Sequence, residues 1–373
     1  MFLWPDSATL TGMEFLVPDA PFAVMPQFML LVVAGGAIYF LIQGADWLVD
    51  GAAGLAYRFG MPQVIVGATI VSLGTTSPEA AVSVMAAWQN MPGLALGNAV
   101  GSIIADTGLI FGLGCILVVL PADKFVLSRQ GWVKVGSCVL LAVLCYLMLI
   151  LEGEKASLGR TIGIVLLVLL VGYMAISVVW SRAHPQGEPF VAEESMEADL
   201  AIAAPEPAEA HKSVLILLAL IVGGLALVVL SSRFVIASVS QLATRWGVPE
   251  VVIASTIVAL GTSLPELVVG MTALIRGHRG LLVGNVIGAD ILNVLFVVGA
   301  SAVAAPLPIV DTKANFPYIF FYLHIPTMLI MVGLFLGYIL ISARRGEFRK
   351  WYGYPLLGLY VAFLAIGWLL EAG

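Results

Sequence analysis

The sequence predicts an all-α polytopic membrane protein: ten transmembrane helices arranged as two inverted five-helix repeats. Three observations predict it. The 373 residues are 61% hydrophobic and only 11% charged, with a mean hydropathy of +1.05, whereas a soluble chain carries about 25% charged residues. Apolar runs such as residues 28–45 and 213–230 reach the roughly 18–20 residues that a bilayer core demands. The chain also repeats itself. LGTTSPE, ending at Glu79, returns as LGTSLPE, ending at Glu266; GNAVG, beginning at Gly97, returns as GNVIG, beginning at Gly284; the offset is 187 residues in both cases.

Residues 1–27 come first, with no Lys or Arg to form the basic start of a signal peptide. They are expected to be a non-cytoplasmic arm. Residues 28–181 form the first five-helix repeat, with spans at 28–56, 63–88, 94–120, 132–151 and 160–181. Residues 182–212 are rich in Pro, Ala and Glu and have little to bury, so they read as a flexible cytoplasmic linker. Residues 213–373 form the second repeat, with spans at 213–243, 250–275, 281–304, 316–342 and 353–371. Cys115, Cys138 and Cys145 all fall in apolar spans and are expected to be free thiols rather than a disulfide or metal framework.

Orientation follows from the basic residues, which favour cytoplasmic loops. One set of loops holds twelve, among them Arg58, Lys124, Arg129, Lys134, Arg276 and Arg279; the other holds Lys155, Arg160, Arg245 and Lys313. Both termini are therefore expected outside, with Arg233 snorkelling near the outer end of the sixth span. The short loops suit a prokaryotic plasma membrane.

From Leu55 to Gly112 the halves align without a gap, and about two positions in five are identical. Five spans per half is an odd number, so the second half enters the membrane inverted. Inverted repeats mark secondary transporters, with the substrate site at the repeat interface near the midplane.

The chemistry of that interface starts at Pro78 and Pro265. A proline in a helix offers no N–H and clashes with the carbonyl four residues back. The carbonyls of Gly74, Thr75, Gly261 and Thr262 are thereby freed, and in lipid a free carbonyl must be satisfied by something buried. Helical spacing adds side-chain oxygens: Thr75 with Glu79, and Thr262 with Glu266, share a face at i, i+4. The next span carries Asn98, Ser102 and Asp106 at four-residue intervals, mirrored by Asn285, Ala289 and Asn293. Such oxygens suit a hard cation. Lys134 being assigned to a loop, no Lys or Arg is expected at mid-depth to neutralise the acids. Taken singly, each proline is a kink, and the G-x-x-x-G of Gly97/Gly101 and Gly284/Gly288 is a close-packing motif. Duplication of the acid together with the helix breaker is what kinking alone leaves unaccounted for. His324 lies outside the repeated motifs and reads as a packed histidine.

GTTSPE with GNAVGSIIAD, and GTSLPE with GNVIGADILN, resemble the two alpha-repeats of the cation/Ca2+ exchanger superfamily, the prokaryotic type of sodium/calcium exchanger in particular; GADWLV at 44–49 is similar to the family's first helix. The resemblance covers most of the ten-span body. It implies ten helices with the second, third, seventh and eighth packed around the ions, and the first and sixth sliding as a gate. It implies Glu79 and Glu266 as Ca2+ ligands, helped by backbone oxygens of Thr75 and Thr262. Thr76, Ser263, Ser102, Asp106 and Asn293 would line the Na+ positions. Asn98, Asn285, Asp290, Ser72 and Ala259 are additional candidates. The chain departs from the family in three places: Ala289 replaces a usual serine, Asp106 and Asn293 exchange the usual order of Asn and Asp, and Asp290 stands where Asn is common.

The expected activity is antiport of Ca2+ against Na+ by alternating access, without enzyme chemistry or cofactor. The expected partners are the ions and the bilayer, with no nucleic acid, and a monomer is the expected state. Three alternatives stay open: H+ as the counter-ion, another divalent cation as substrate, and an intramembrane aspartic protease built on Asp106 and Asp290 sharing a proton.

Overall fold

A computed structural model describes residues 20–89, 91–183, 212–246, 259–310, 318–343 and 345–372, and they are almost entirely helical. A short helix over Ala20–Val24 leads into α1, Gln27–Arg58. The first half continues with α2 (Gln63–Thr75), α3 (Ser77–Trp88), α4 (Pro92–Leu117), α5 (Lys124–Lys155) and α6 (Arg160–Ala183). The second half holds α7 (Val214–Arg245), α8 (Ala259–Thr262), α9 (Leu264–Ile275), α10 (Arg279–Ala304), α11 (Phe320–Ser342) and α12 (Gly353–Ala372).

Among the described residues, eight helices are long and apolar enough to cross a membrane: α1, α4, α5, α6, α7, α10, α11 and α12. The chain is a multi-pass membrane protein. The spans expected at 63–88 and 250–275 carry the helix breaks that Pro78 and Pro265 imply: α2 gives way to α3 at Thr76, and α8 gives way to α9 at Ser263. Each break lies two residues before a proline, whose ring cannot continue the hydrogen-bond ladder. Residues 247–258, which open the seventh expected span, lie outside the described residues. So do 1–19 of the arm, 184–211 of the linker, and Lys313.

Burial sorts the helices into layers. α10 is enclosed along nearly its whole length and α4 along most of it, whereas α6, α7 and α12 are mostly exposed. The exposed side chains are themselves apolar, as at Val168 and Val171 on α6, Leu215 and Val222 on α7, and Val361 and Leu369 on α12. A helix greasy on its outer face suits lipid.

Glycines bring the inner helices together. A Cβ on Gly284 would lie 2.0 Å from the Val64 carbonyl oxygen, and one on Gly288 would lie 2.4 Å from that of Ala68. α10 therefore runs against the backbone of α2, as the G-x-x-x-G motif leads one to expect. At Gly97 and Gly101 a Cβ would meet nothing within 4 Å; the residues equivalent to Val64 and Ala68 in the other half, 251 and 255, lie outside the described residues. α1 and α7 cross at Gly44 and Gly224, where a Cβ on either would lie within 3 Å of the other's carbonyl oxygen.

Among the described residues, five π turns widen the helices: Gly67–Val71 in α2, Asp106–Phe111 in α4, Leu127–Gly131 in α5, Asn293–Val298 in α10 and Phe320–His324 at the start of α11, with those of α4 and α10 at matched positions of the halves. In the first of them the Ala68 carbonyl accepts a hydrogen bond from the Tyr173 hydroxyl of α6 at 3.2 Å. Tyr173→Phe should therefore leave a buried acceptor unsatisfied and cost about 1–3 kcal/mol. A lowered unfolding temperature in detergent checks this, with substrate affinity unchanged.

Among the described residues, four two-residue strands tie loop to loop. β1 (Leu120–Pro121) pairs antiparallel with β4 (Glu347–Phe348), Leu120 opposite Phe348. β2 (Ser157–Leu158) pairs antiparallel with β3 (Leu307–Pro308), Ser157 opposite Pro308. Both pairs join the first half to the second.

Arg233 corrects an expectation. It is fully buried beside Ser231 and Ser232 rather than snorkelling: α7 ends at Arg245, close to the expected 243, and position 233 lies within its packed length, its side chain enclosed by the fold and not carried to the helix end. The three cysteines are free and buried. His324 is packed against Phe320 and Phe363, with ring centroids 5.9 and 5.2 Å away.

Candidate functional site

The break between α2 and α3 opens the main chain. Thr76 N–H closes on Ser72 at 2.9 Å, and the ladder resumes when Ala80 N–H closes on Thr76 at 3.1 Å. The α-helical ladder skips the carbonyls of Leu73, Gly74 and Thr75. Ser77 Oγ donates to the Leu73 carbonyl at 2.6 Å and a main-chain N–H at the break closes on the Gly74 carbonyl, so of the two carbonyls expected to be freed by Pro78, Gly74 is taken and Thr75 is left. The second half repeats the device: Leu267 N–H closes on Ser263 at 3.0 Å, and Pro265 brings no N–H of its own.

One turn beyond each break stands a buried glutamate. Glu79 and Glu266 are 1% and 2% exposed. Thr76 Oγ1 donates to Glu266 Oε1 at 3.2 Å, so the first break touches the second acid. Both carboxylate oxygens of Glu79, and Oε2 of Glu266, have no hydrogen-bond partner among the described residues. Glu79 lies close enough to Glu266 and Asp106 to interact with both charges.

α4 and α10 close the centre from either side. Ser102 Oγ and Ser263 Oγ are 3.2 Å apart. Thr75 Oγ1 lies 3.4 Å from both Asn285 Oδ1 and the Ser72 carbonyl, and Ser72 Oγ itself turns to the Thr69 carbonyl. Half-buried Asn98 donates to the Glu79 carbonyl at 3.3 Å and to Ser83 at 2.9 Å, so it braces the α3 backbone. Asp106 is buried with neither oxygen hydrogen-bonded among the described residues, and Asn293 Oδ1 is in the same position. Thr262 is buried at the end of α8. Ala259 begins α8, and its side chain lies outside the described atoms. Named contacts thus join Thr75 to Asn285, Thr76 to Glu266, Ser102 to Ser263 and Asn98 to the Glu79 main chain, with Pro78 and Pro265 buried at the breaks; Thr262, Asn293 and Ala259 are not among the residues so joined.

Chemically this is a cluster of carboxylate, carbonyl, hydroxyl and amide oxygens with few donors turned toward them. Hard cations take six to eight such oxygens. Among the described residues no three His, Cys, Asp or Glu side chains converge as a metal cage by themselves. A cation bound here must therefore draw on Thr, Ser, Asn and main-chain oxygens as well as the acids.

One expectation fails. A lysine does reach the acids: Lys134, assigned from the sequence to a loop, lies inside α5 with no exposure, its Nζ 2.8 Å from Asp290 Oδ2. It also donates to Thr107 Oγ1 at 2.9 Å, and Thr107 donates to Asp290 Oδ2 at 2.7 Å. The reason is that α5 begins at Lys124, well before the expected span at 132, so position 134 is already within the bundle. Asp290, one residue off the polar stripe of α10, points at this lysine and lies close enough to Asp106 to interact with its charge. Lys134 and Thr107 are functional candidates that motif reading misses, since neither belongs to a duplicated pattern. At the turn before α10, Gln63 Nε2 lies 3.0 Å from His278 Nδ1; burial holds this imidazole below its ordinary pKa, so at neutral pH its ring nitrogen is free to accept.

Comparison with known proteins places this geometry. The family model for sodium/calcium exchanger proteins matches residues 29–179 and 216–369. The chain is 30% identical over 333 residues to the candidate antiporter CaxA of Alkalimonas amylolytica, covering 89% of this chain and 96% of that one. It is 27% identical over 370 residues to the sodium/calcium exchanger MaX1 of Methanosarcina acetivorans, covering 91% and 98%. Among solved structures, the sodium-calcium exchanger NCX_Mj soaked with 2.5 mM Na+ and 10 mM Sr2+ superposes with a TM-score of 0.71 at 26% identity, covering 91% of this chain and 99% of that one. Matched in both halves, the chain belongs to the sodium/calcium exchanger family.

Proposed function

We propose that this protein is a secondary antiporter that exchanges Ca2+ for Na+ across a plasma membrane by alternating access. The observation that carries the reading is the pair Glu79 and Glu266, buried beside matched helix breaks, with three of their four carboxylate oxygens lacking a donor among the described residues. Two carboxylates balance one Ca2+, with the main-chain oxygens of Thr75 and Thr262 at the breaks to help them. Thr76, Ser263, Ser102, Asp106 and Asn293 line the positions for Na+, with Asn98, Asn285, Ser72 and Ala259 around them. Competition for shared oxygens couples the two fluxes, and an empty centre of bare carboxylates resists burial, which suppresses leak.

Counting each broken helix as one span gives ten crossings, and the second half then enters inverted, with both termini outside. α1 and α7 are the sliding gate. Their glycine crossing gives a smooth track, and Arg276 at the end of α9 holds α1 through Asp46 at 2.8 Å and Asp50 at 2.5 Å. One chain contains the whole site, so a monomer suffices. The family's exchangers are transporters, and an aspartic protease has no use for the duplicated helix breaks; in addition Asp290 Oδ2 already serves Lys134 and Thr107.

A second reading, H+ as counter-ion, is favoured by one observation. Ala289 supplies no hydroxyl where Ser102 does in the other half, which thins the Na+ ligands around Asp106. Proteoliposomes separate the two. Internal Na+ should drive 45Ca2+ uptake, and internal K+ should not. Uptake that ignores the Na+ gradient and follows an acidic interior would establish H+ instead.

A further inference from the structure

The antiport reading accounts for Glu79, Glu266 and Asp106, but not for Lys134. Its ammonium is completely buried in a membrane-spanning helix, and its surroundings are unlike those of a stray salt bridge. Three donors meet three acceptors: Asp290 Oδ2 at 2.8 Å, Thr107 Oγ1 at 2.9 Å, and the face of Phe335, whose ring centroid is 3.7 Å away. The Thr107 hydroxyl receives from the ammonium and gives its own proton to the same carboxylate oxygen. A carboxylate and a hydroxyl oxygen around a desolvated positive charge are the ligands that the neighbouring centre offers to a mobile cation.

The pair is continuous with that centre. Thr107 follows Asp106 in the chain, and Asp106 interacts with the charges of Asp290, Glu266 and Lys134. The groups facing the ammonium from the packed helices are Asp290 of α10, Thr107 and Asp106 of α4, and Phe335 of α11. Four carboxylates therefore share one fixed positive charge. In the other half the residue aligned with Asp290 is Ile103, so neither the acid nor the need for its cation is duplicated.

We propose that Lys134 is a tethered counter-ion. It permanently fills the Asp290–Thr107 lobe of the cation centre and so removes one monovalent ion from the exchange cycle. The mobile ions then balance Glu79, Glu266 and Asp106, and the number of monovalent ions moved per Ca2+ is one lower than the four carboxylates by themselves require. A purely architectural salt bridge would affect stability or turnover and leave that number alone.

The number is read as a reversal potential: the voltage, set by a K+ gradient with valinomycin, at which a fixed pair of gradients gives no net 45Ca2+ flux. Lys134→Ala should raise the count of monovalent ions per Ca2+ by one, and methylammonium at tens of millimolar, refilling the lobe, should restore the wild-type count. Asp290→Asn should lower the count by one, and it tests the inference even where Lys134→Ala does not fold. Counts that stay at the wild-type value in the folded variants, or that shift in the same direction in both, overturn it. The inference rests on the antiport reading, but the ion counted is whichever one the wild-type flux follows. A proton-driven wild type would sink the Na+ assignment and leave this test in force, while a wild type with no Ca2+ exchange would sink antiport itself.

Discussion

Glu79→Gln and Glu266→Gln are each expected to abolish Ca2+ exchange while leaving the folded protein intact. Glutamine keeps the shape of the side chain, and at position 266 it keeps an oxygen for Thr76 to donate to. What it removes is one unit of negative charge facing a divalent cation in a water-poor centre. Breaking one side of a buried charge pair typically costs about 3–5 kcal/mol, which is roughly a hundredfold to several-thousandfold in affinity. The fold should not suffer, because both oxygens of Glu79 and one of Glu266 make no hydrogen bond that the amide would forfeit. Unfolding temperature in detergent should hold or rise in both variants, as 45Ca2+ flux falls to background. Normal flux in either one would remove that glutamate from the site.

Gly284→Val should act in the opposite way, sparing the ligands and destroying the frame. The nearest atom to a new Cβ is the Val64 main-chain oxygen at 2.0 Å, with the Val64 carbonyl carbon at 2.7 Å. No rotamer relieves a clash with backbone, so α2 and α10 must separate. Overpacking usually costs about 1–3 kcal/mol, and this contact lies above that range because main chain meets main chain. Loss of the monodisperse peak in size-exclusion chromatography is the expected result. Gly333→Ala is the control. A Cβ there meets nothing within 4 Å, and alanine gains up to about 1 kcal/mol of helix propensity, so its unfolding temperature should hold or rise. If Gly284→Val behaved like the control, the close packing of α2 on α10 would be wrong.

The contrast between Glu79 and Lys134 explains how far sequence alone reaches. Glu79, its proline and its threonine sit within five residues, and their copy 187 residues later shows that the grouping is no accident. Local spacing plus duplication makes such a device readable. Lys134 has neither. It meets Asp290 and Thr107 only after α4, α5 and α10 pack together, and a basic residue beside Gly131 and Trp132 looks like the edge of a loop. The break points were legible for the same local reason, since a proline fixes where the ladder fails. The matched π turns at Asp106 and Asn293 were not, because no residue type marks an i+5 bond. Arg233 differs from Lys134: its helix ends at Arg245, within two residues of the expected 243, and what the sequence does not show is that the side chain is enclosed by its neighbours instead of reaching toward that end. The G-x-x-x-G motif was legible as a packing signal, while its partner, the backbone of α2 at Val64 and Ala68, was not.

The four small strands bear on how the chain comes to be made. β1 emerges from the ribosome early and has no mate until β4 follows, almost at the C-terminus; β2 waits likewise for β3. The first half can thus be threaded into the bilayer but not finished there. Its loops stay open through most of synthesis, and pairing that spans so much chain is slow to form. A truncated product ending in the linker would carry both early strands unmatched. Such fragments should be short-lived targets for membrane proteases, and two separately expressed halves should accumulate only when they are produced together.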